Sequence, residues 1–226
     1  ETLAIKEKKI PGSSGLAKSL SDVGCIFHER GEYDKALVLL EGALAIREKE
    51  AKGSLGMAIS CTNLALTLTK LGRRADARAR HEQAKKIKEE KAPGSASLAR
   101  TYISLSNTAS SLDEAKDYLN QAKIVAEKIQ PPPTSLLASL EVNRGNLLHI
   151  SGNHTDAIEC FEHAIEIEQE VAPDSLIMAT MLDQLAKACD EVQGLQPEAR
   201  AARGKSLRIR HQKAPMSLEN QLLKKE

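Results

Sequence analysis

The stretch GEYDKALVLLEGALAIREKE, residues 31–50, decides the fold, because degenerate copies of it recur along the chain. In each copy two small residues stand seven positions apart: Ala36/Ala43, Ala77/Ala84, Ala115/Ala122, Ala157/Ala164 and Ala199/Ser206. Successive copies follow one another after 41, 38, 42 and 42 residues. A nearly constant period of roughly 20–50 residues is typical of proteins built from stacked repeats.

The composition favours closely packed helices. The chain has 226 residues, of which 41% are hydrophobic, 28% charged and only 2% aromatic, so Ala, Leu, Ile and Val must build the core. Ala and Leu are strong helix formers, and small residues let helices approach one another. The formal net charge is +1, which gives the molecule as a whole no field that attracts nucleic acid. No apolar run approaches the length of a membrane span, so membrane insertion is not expected.

Each copy predicts a hairpin of two helices. Apolar and small residues recur at helical spacing over 14–30, Gly31 ends that helix, and a second helix follows over about 33–51. Such a hairpin cannot bury both of its faces alone and needs neighbours to stack against. The expected fold is therefore all-α, a right-handed superhelical solenoid of antiparallel helix hairpins with a period of about 38–42 residues.

The repeats predict one continuous array. Its expected segments are the end of a preceding repeat (1–12), repeats one to five (13–53, 54–94, 95–133, 134–174 and 175–214) and the start of a truncated repeat (215–226). Prolines mark most of the junctions, where a missing N–H is harmless at a helix entrance. Repeat three is three residues short between its helices, around Ser110–Asp113, and predicts a tighter corner there.

The spacing within a repeat resembles the tetratricopeptide repeat. Repeat one carries that pattern at Leu20, Val23-Gly24, Phe27, Ala36, Leu40 and Ala43, and repeat four at Gly145, Leu148, Gly152, Ala157, Phe161, Ala164 and Pro173. The longer period and the ALAIREK stretch resemble the kinesin light chain type of array. Asn63 and Asn143 match an asparagine of that type, whereas Asp22, Ser104 and Gln184 replace it in other repeats.

This resemblance implies that an extended peptide binds in a concave groove, where the asparagines hydrogen-bond its backbone. On each first helix the residues not needed for packing fall on one face, at spacings of three and four. The candidate binding residues are Lys18, Ser21, Asp22, Cys25, His28, Ile59, Thr62, Asn63, Leu66, Arg100, Ile103, Asn107, Ser139, Asn143, Asn146, His149, Asp183 and Lys187. The plainer alternative is that these are ordinary solvated helix positions.

Charge is segregated along the chain. Residues 70–91 carry a net charge of +5, residues 153–174 carry −7, and residues 198–226 carry +5. The favoured interpretation is a set of solvated outer helix faces, and the alternative is self-association through complementary charged faces. Nucleic-acid binding is not expected, because no aromatic residues are interleaved with the basic ones for stacking on bases.

Catalysis is not expected. The sequence has no glycine-rich phosphate loop and no nucleophile motif, and its six histidines are scattered. His149 and His154 stand five apart around a turn, so we do not expect them to share a face suited to a metal. No metal and no cofactor are predicted. The four cysteines lack C-x-x-C spacing and are interpreted as small buried thiols of a reducing compartment, the cytoplasm.

The sequence thus predicts a non-catalytic protein–protein interaction scaffold that binds an extended peptide or a partner protein in its concave groove. Two alternatives remain open. One is a structural or self-assembling spacer, and the other is the regulatory sensor arm of a larger multidomain protein.

Overall fold

The structure is a computed structural model that describes residues 13–131 and 133–213. Within these ranges it contains ten α-helices and no strand. They are α1 (Ser14–Glu29), α2 (Tyr33–Glu50), α3 (Leu55–Lys70), α4 (Arg74–Lys91), α5 (Ala96–Ser106), α6 (Leu112–Glu127), α7 (Thr134–Ile150), α8 (His154–Val171), α9 (Leu176–Asp190) and α10 (Gln196–Lys213). The predicted partial repeats at 1–12 and 215–226 lie outside the described residues. No described helix is both long and apolar enough to cross a membrane.

Serine caps and glycine turns set the helix boundaries. At the start of α1, α3, α5 and α9 a serine hydroxyl accepts a hydrogen bond from the backbone N–H three residues on, at Ser13, Ser54, Ser95 and Ser175. Each cap satisfies one of the helix-initial N–H groups. Glycines with positive φ form the turns inside four hairpins, at Gly31, Gly72, Gly152 and Gly194. Hairpins predicted from the repeat are thereby confirmed.

The chain divides into two compact units, Glu1–Ser111 and Leu112–Glu226. Unit 1 holds α1 to α5: α1 pairs with α2, α3 pairs with α4, α3 packs against α2, and α5 packs against α4. Unit 2 holds α6 to α10: α7 pairs with α8 and α9 with α10, while α6 lies on α7 and α9 on α8. The boundary between the units falls in the short corner of repeat three.

Small residues are required where the helices of a hairpin cross. The five small pairs that define the repeat are all buried. The crossings are closest at Gly24 and Gly145, where an added Cβ would stand 2.8 Å from Leu40 Cγ and 2.7 Å from Phe161 Cε1. Because no real Cβ tolerates such distances, these two hairpins need a glycine opposite Leu40 and Phe161.

Arginines of α4 close the corner of repeat three. Arg74 Nη2 donates to the carbonyl oxygen of Asn107 at 2.9 Å, and Arg78 Nη1 donates to Ser110 Oγ at 2.9 Å. These cations lie at the carbonyl end of α5, the pole of a helix that attracts positive charge. The predicted irregular corner is thus fastened from the neighbouring helix.

A polar residue recurs eleven positions after the first small residue of four copies. We call this the junction position, and it is occupied by Arg47, Lys88, Glu168 and Arg210, with Ala126 in repeat three. Arg47 Nη1 donates to the Gly56 carbonyl oxygen and to Ser60 Oγ, both at 2.6 Å, and so ties α2 to the first helix of the next repeat. Glu168 on α8 likewise accepts a hydrogen bond from Ser175 Oγ, the cap of α9, at 2.7 Å.

The prediction that residues 70–91 form a solvated charged face is wrong at two positions. His81 and Lys88 are 1% and 3% exposed. His81 occupies the position of Leu40 in repeat one, and Lys88 is the junction residue of its repeat. The burial of His81 and Lys88 is set by their positions in the repeat. The charged composition of residues 70–91 does not indicate it.

Candidate functional site

Two polar links join the first helices of unit 1 side by side. His28 Nδ1 on α1 and Thr67 Oγ1 on α3 are 2.9 Å apart. The ammonium group of Lys88 donates to Thr62 Oγ1 on α3 at 3.1 Å and to Thr101 Oγ1 on α5 at 2.7 Å. These links hold α1, α3 and α5 side by side, and we call the side of these three helices that carries the predicted stripe the unit 1 face.

On α3, the middle helix of the unit 1 face, two exposed aliphatic residues lie on either side of two polar residues. Ile59 and Leu66 of α3 are 50% and 44% exposed. Seven residues span two helical turns, so the two side chains are about 10 Å apart on one side of α3. Half-buried Thr62 and Asn63 lie between them. The Asn63 side chain has no hydrogen bond to any residue that the structure describes, so its amide can serve a ligand.

Polar residues of α1 and α5 flank this centre. Lys18 and Asp22 on α1 and Arg100 on α5 are exposed, and Asn107 is exposed at the end of α5. Cys25 is half-buried, and burial raises the pKa of its thiol, with Asp22 adding to the shift. Burial also lowers the pKa of His28, and nearby Lys70 lowers it further.

Two candidates on the unit 1 face are removed by their burial. Ser21 on α1 and Ile103 on α5 are both buried. Their positions continue the stripe in sequence, but the neighbouring helices cover them. A ligand cannot reach either side chain, so neither belongs to a binding surface.

In unit 2 the candidates on α7 turn partly toward their own helix. Asn143 Nδ2 donates to the Ser139 carbonyl oxygen, and Ser139 Oγ donates to that of Ser135, both at 2.7 Å. Asn146 is half-buried. Asn143 therefore differs from Asn63, because its side-chain amide already donates one hydrogen bond within α7.

On α9 the candidates border a small recess. Asp183 Oδ2 accepts a hydrogen bond from Arg210 Nη2 at 2.6 Å, and Lys187 is exposed one turn further on. A cavity of about 300 Å³ is lined by Asp183, Lys187, Arg203 and Leu207. Lys187 thus lies beside an ion pair that holds α10 against α9.

A larger cleft lies between α6 and α7 and has no counterpart among the predicted site residues. Its volume is about 470 Å³, and four leucines line it: Leu112, Leu119, Leu147 and Leu148. Lys116 and Arg144 stand at its edge. Sequence reasoning missed this cleft, since only the shortened corner of repeat three hinted at altered packing there.

The basic charge of α4 is mostly used within unit 1. Arg73 pairs with Asp76 at 2.7 Å, Arg80 with Glu48 at 3.6 Å and Lys85 with Glu82 at 2.7 Å. The acidic charge of α8 is different: four exposed glutamates share one face and form no ion pair with a described residue, namely Glu159, Glu162, Glu166 and Glu170. The two charged helices therefore differ: α8 offers a partner exposed glutamates without an ion pair, whereas most basic side chains of α4 are already paired within unit 1.

The arrangement offers little for catalysis. Across 13–131 and 133–213, no three His, Cys, Asp or Glu side chains come together as metal ligands. All four cysteines are free, and burial raises the pKa of Cys61 to about 11. A thiol with so high a pKa is a poor nucleophile at neutral pH.

These stacked hairpins and exposed first-helix faces define an all-α helical repeat protein. Models of the tetratricopeptide repeat match residues 136–212, and also residues 16–51 and 57–92. Together these segments cover more than half of the chain, so the protein belongs to the tetratricopeptide repeat family. This confirms the predicted fold class and family, and it indicates a protein-interaction scaffold. The unmatched stretch between 92 and 136 is repeat three with its short corner.

Solved structures show the same fold at low sequence identity. BtubC (BKLC) from P. vanneervenii is 20% identical, with a TM-score of 0.70 over 92% of this chain and 84% of that one. A protein with nearly identical TPR-like repeats from Podosopora anserina, assigned as a kinesin light chain, is 20% identical, with a TM-score of 0.65 over 89% and 97%. A Rap protein in complex with Competence and Sporulation Factor is 14% identical, with a TM-score of 0.73 over 92% and 62%. No curated protein sequence matches the chain.

Proposed function

We propose that this protein binds an extended peptide segment of a partner protein on the unit 1 face. The observation that carries the proposal is the pair of exposed aliphatic residues Ile59 and Leu66 on either side of the Asn63 amide. Packing between repeats leaves both side chains open, although their apolar area would favour burial. An extended peptide fits this spacing, because alternate side chains can contact the aliphatic residues while its backbone meets the amide.

Charged residues on either side of α3 can orient the bound peptide. Lys18 on α1 and Arg100 on α5 are exposed on the two sides of α3, so acidic side chains of a peptide that crosses the three helices would meet cations at both edges. Such contacts at the rim of a binding surface act mainly on specificity and association rate. In unit 2 we propose that Asn146 and Lys187 contribute to a second, more polar surface for a further part of the partner.

A random twelve-residue peptide library displayed on phage tests the proposal. Peptides selected on the unaltered protein are measured by fluorescence titration against the double variant Ile59→Asp/Leu66→Asp. Because both substitutions place a charge where the peptide buries apolar area, we expect affinity to fall at least tenfold. Val38→Asp is the control, since Val38 is an aliphatic residue on second helix α2 that is 69% exposed, and it should leave affinity unchanged.

Charge reversal provides the second arm. Lys18→Glu, Arg100→Glu and Lys187→Glu together should weaken acidic peptides several-fold and leave the circular dichroism spectrum unchanged. Peptides that lose affinity on Val38→Asp but keep it on Ile59→Asp/Leu66→Asp would show that the site lies on the outer helices, and the proposal would be wrong.

A further inference from the structure

Two histidine rings meet at the turn of the fourth hairpin. His149 lies near the end of α7 and His154 is the first residue of α8. Their Nδ1 atoms are 3.0 Å apart, and the ring planes are inclined at 64° with centroids separated by 4.9 Å. The turn at Gly152, with φ of 81°, brings the two rings together. The rings thus meet across the turn although they lie on two different helices.

The two Nδ1 atoms are held close together. In the neutral pair a hydrogen bond forms when one Nδ1 carries a hydrogen and donates it to the lone pair of the other. The nitrogens then face each other, and a rotation of each ring turns both lone pairs toward one point beside the line that joins them. Neither ring is fully buried, so a small solute can reach that point.

We propose that His149 and His154 form a two-histidine binding site for Cu²⁺ or Ni²⁺. Metal–imidazole nitrogen distances are close to 2.0–2.1 Å, so nitrogens separated by 3.0 Å would subtend about 90° at the metal. This angle matches adjacent positions of a square-planar or octahedral complex, which Cu²⁺ and Ni²⁺ prefer over the tetrahedral geometry of Zn²⁺. Water molecules complete the coordination.

Two helix ends meet at this point and act in opposite directions. His149 lies in the last turn of α7, where the carbonyl end of the helix attracts positive charge, whereas His154 begins α8, whose N-terminus repels it. Of the acidic residues in 153–174, Asp156 is the nearest to His154 in sequence. The closeness of the two nitrogens, and not the local field, therefore carries the assignment.

The proton balance of binding is closed within the pair. One ring moves its proton from Nδ1 to Nε2 through solvent, both Nδ1 lone pairs bind the metal, and no net proton is released.

Copper titration of the chain without a polyhistidine tag tests the site, with electron paramagnetic resonance as the second readout. We expect one tight Cu²⁺ per chain with hyperfine structure from two nitrogens, weaker Ni²⁺, and still weaker Zn²⁺. His149→Asn and His154→Asn should each lower Cu²⁺ affinity at least tenfold. His163→Asn is the matched control, because His163 is exposed on the same helix α8.

Three results would overturn the assignment: equal affinity in His149→Asn and the unaltered chain, a resonance spectrum without two equivalent nitrogens, or loss of the tight site in His163→Asn. Circular dichroism of each variant separates loss of metal ligands from loss of fold. Because no peptide is present, failure of this test leaves the proposed peptide-binding function untouched.

Discussion

Two buried polar residues of α4 are the most unusual single residues in unit 1. Lys88 donates three hydrogen bonds to oxygens, including the Ser97 carbonyl oxygen at 3.4 Å, but forms no ion pair with a carboxylate of the described residues. Burial lowers its pKa to about 8. His81 makes fewer hydrogen bonds than Lys88, because its Nδ1 is buried without a hydrogen-bond partner among the described residues. Burial, together with nearby Lys88, lowers the pKa of His81 to about 4, and Glu82 opposes the shift.

We expect His81→Leu to remove an acid-sensitive component of stability. In the fold His81 stays neutral down to a pKa of about 4, whereas in the unfolded chain it takes up a proton near its ordinary value of 6.5. The unfolded state therefore binds more protons between these values, and stability falls as pH drops from 6.5 to 4, by up to about 1.4 kcal/mol per unit. Leu40 fills the equivalent position opposite Gly24, whereas Ala65 stands at that place in repeat two, so we expect an added loss of stability that does not depend on pH. The substitution should flatten this part of the pH profile.

Urea unfolding followed by circular dichroism between pH 7.5 and pH 4.5 measures the effect. His163→Gln, on the exposed face of α8, is the control and should follow the unaltered chain. Parallel pH profiles for His81→Leu and the unaltered chain would contradict the buried neutral state of His81.

At the scale of the element, one serine serves two helices. Ser175 accepts a hydrogen bond from the Met178 N–H as the cap of α9 and donates its own hydrogen to Glu168 on α8. Ser54 caps α3 in the same way, accepting from the Met57 N–H. The two serines therefore form a natural comparison between a cap alone and a cap that also satisfies a buried carboxylate.

Ser175→Ala should destabilise the protein more than Ser54→Ala. Loss of a cap costs about 1 kcal/mol. Ser175→Ala also leaves buried Glu168 without its hydrogen bond, which adds about 1–3 kcal/mol. The unfolding midpoints in urea give both values. In the background Glu168→Met the further loss on Ser175→Ala should shrink to that of the cap alone, and an unchanged loss would show that the two residues are not coupled.

The elements themselves were predictable, because their boundaries are local. Serine caps and turn glycines gave α1 as 14–30 against Ser14–Glu29 observed, and α2 as about 33–51 against Tyr33–Glu50. The site was predictable only in part. The helical period placed Ile59 and Leu66 on one face, but it could not show that Ser21 is covered or that Asn143 bonds within its own helix. Burial of Lys88 depends on Thr101 in another helix, and the meeting of His149 with His154 depends on the turn geometry at Gly152.

At the scale of the molecule, each unit has its own hydrophobic core. Residues of α2, α3 and α4 form the main core of unit 1, and residues of α8, α9 and α10 that of unit 2. In a repeat protein each hairpin is stabilised chiefly by its immediate neighbours. A defect in one unit should therefore open that unit first.

Gly145→Ala tests this, since the new Cβ would stand 2.7 Å from Phe161 Cε1. Overpacking of this kind costs about 1–3 kcal/mol. We expect faster hydrogen exchange in α7 to α9 and unchanged exchange in α1 to α3. Gly204→Ala on α10 is the control, because its Cβ would meet nothing within 4 Å, and it should stabilise by up to about 1 kcal/mol. Faster exchange throughout α1 to α3 in Gly145→Ala would indicate one cooperative body.

The junction position makes the repeats non-interchangeable. Arg47 requires acceptors on the following helix, the Gly56 carbonyl and Ser60, whereas Glu168 requires a donor, Ser175. If these second helices exchanged neighbours, Glu168 would still meet a serine cap, Ser54, but Arg47 would meet Met181 in place of Ser60 and would lose that acceptor. Similar hairpins within one chain risk stacking in the wrong order as they fold. The side chain at the junction position of each hairpin thus favours stacking on the correct next hairpin.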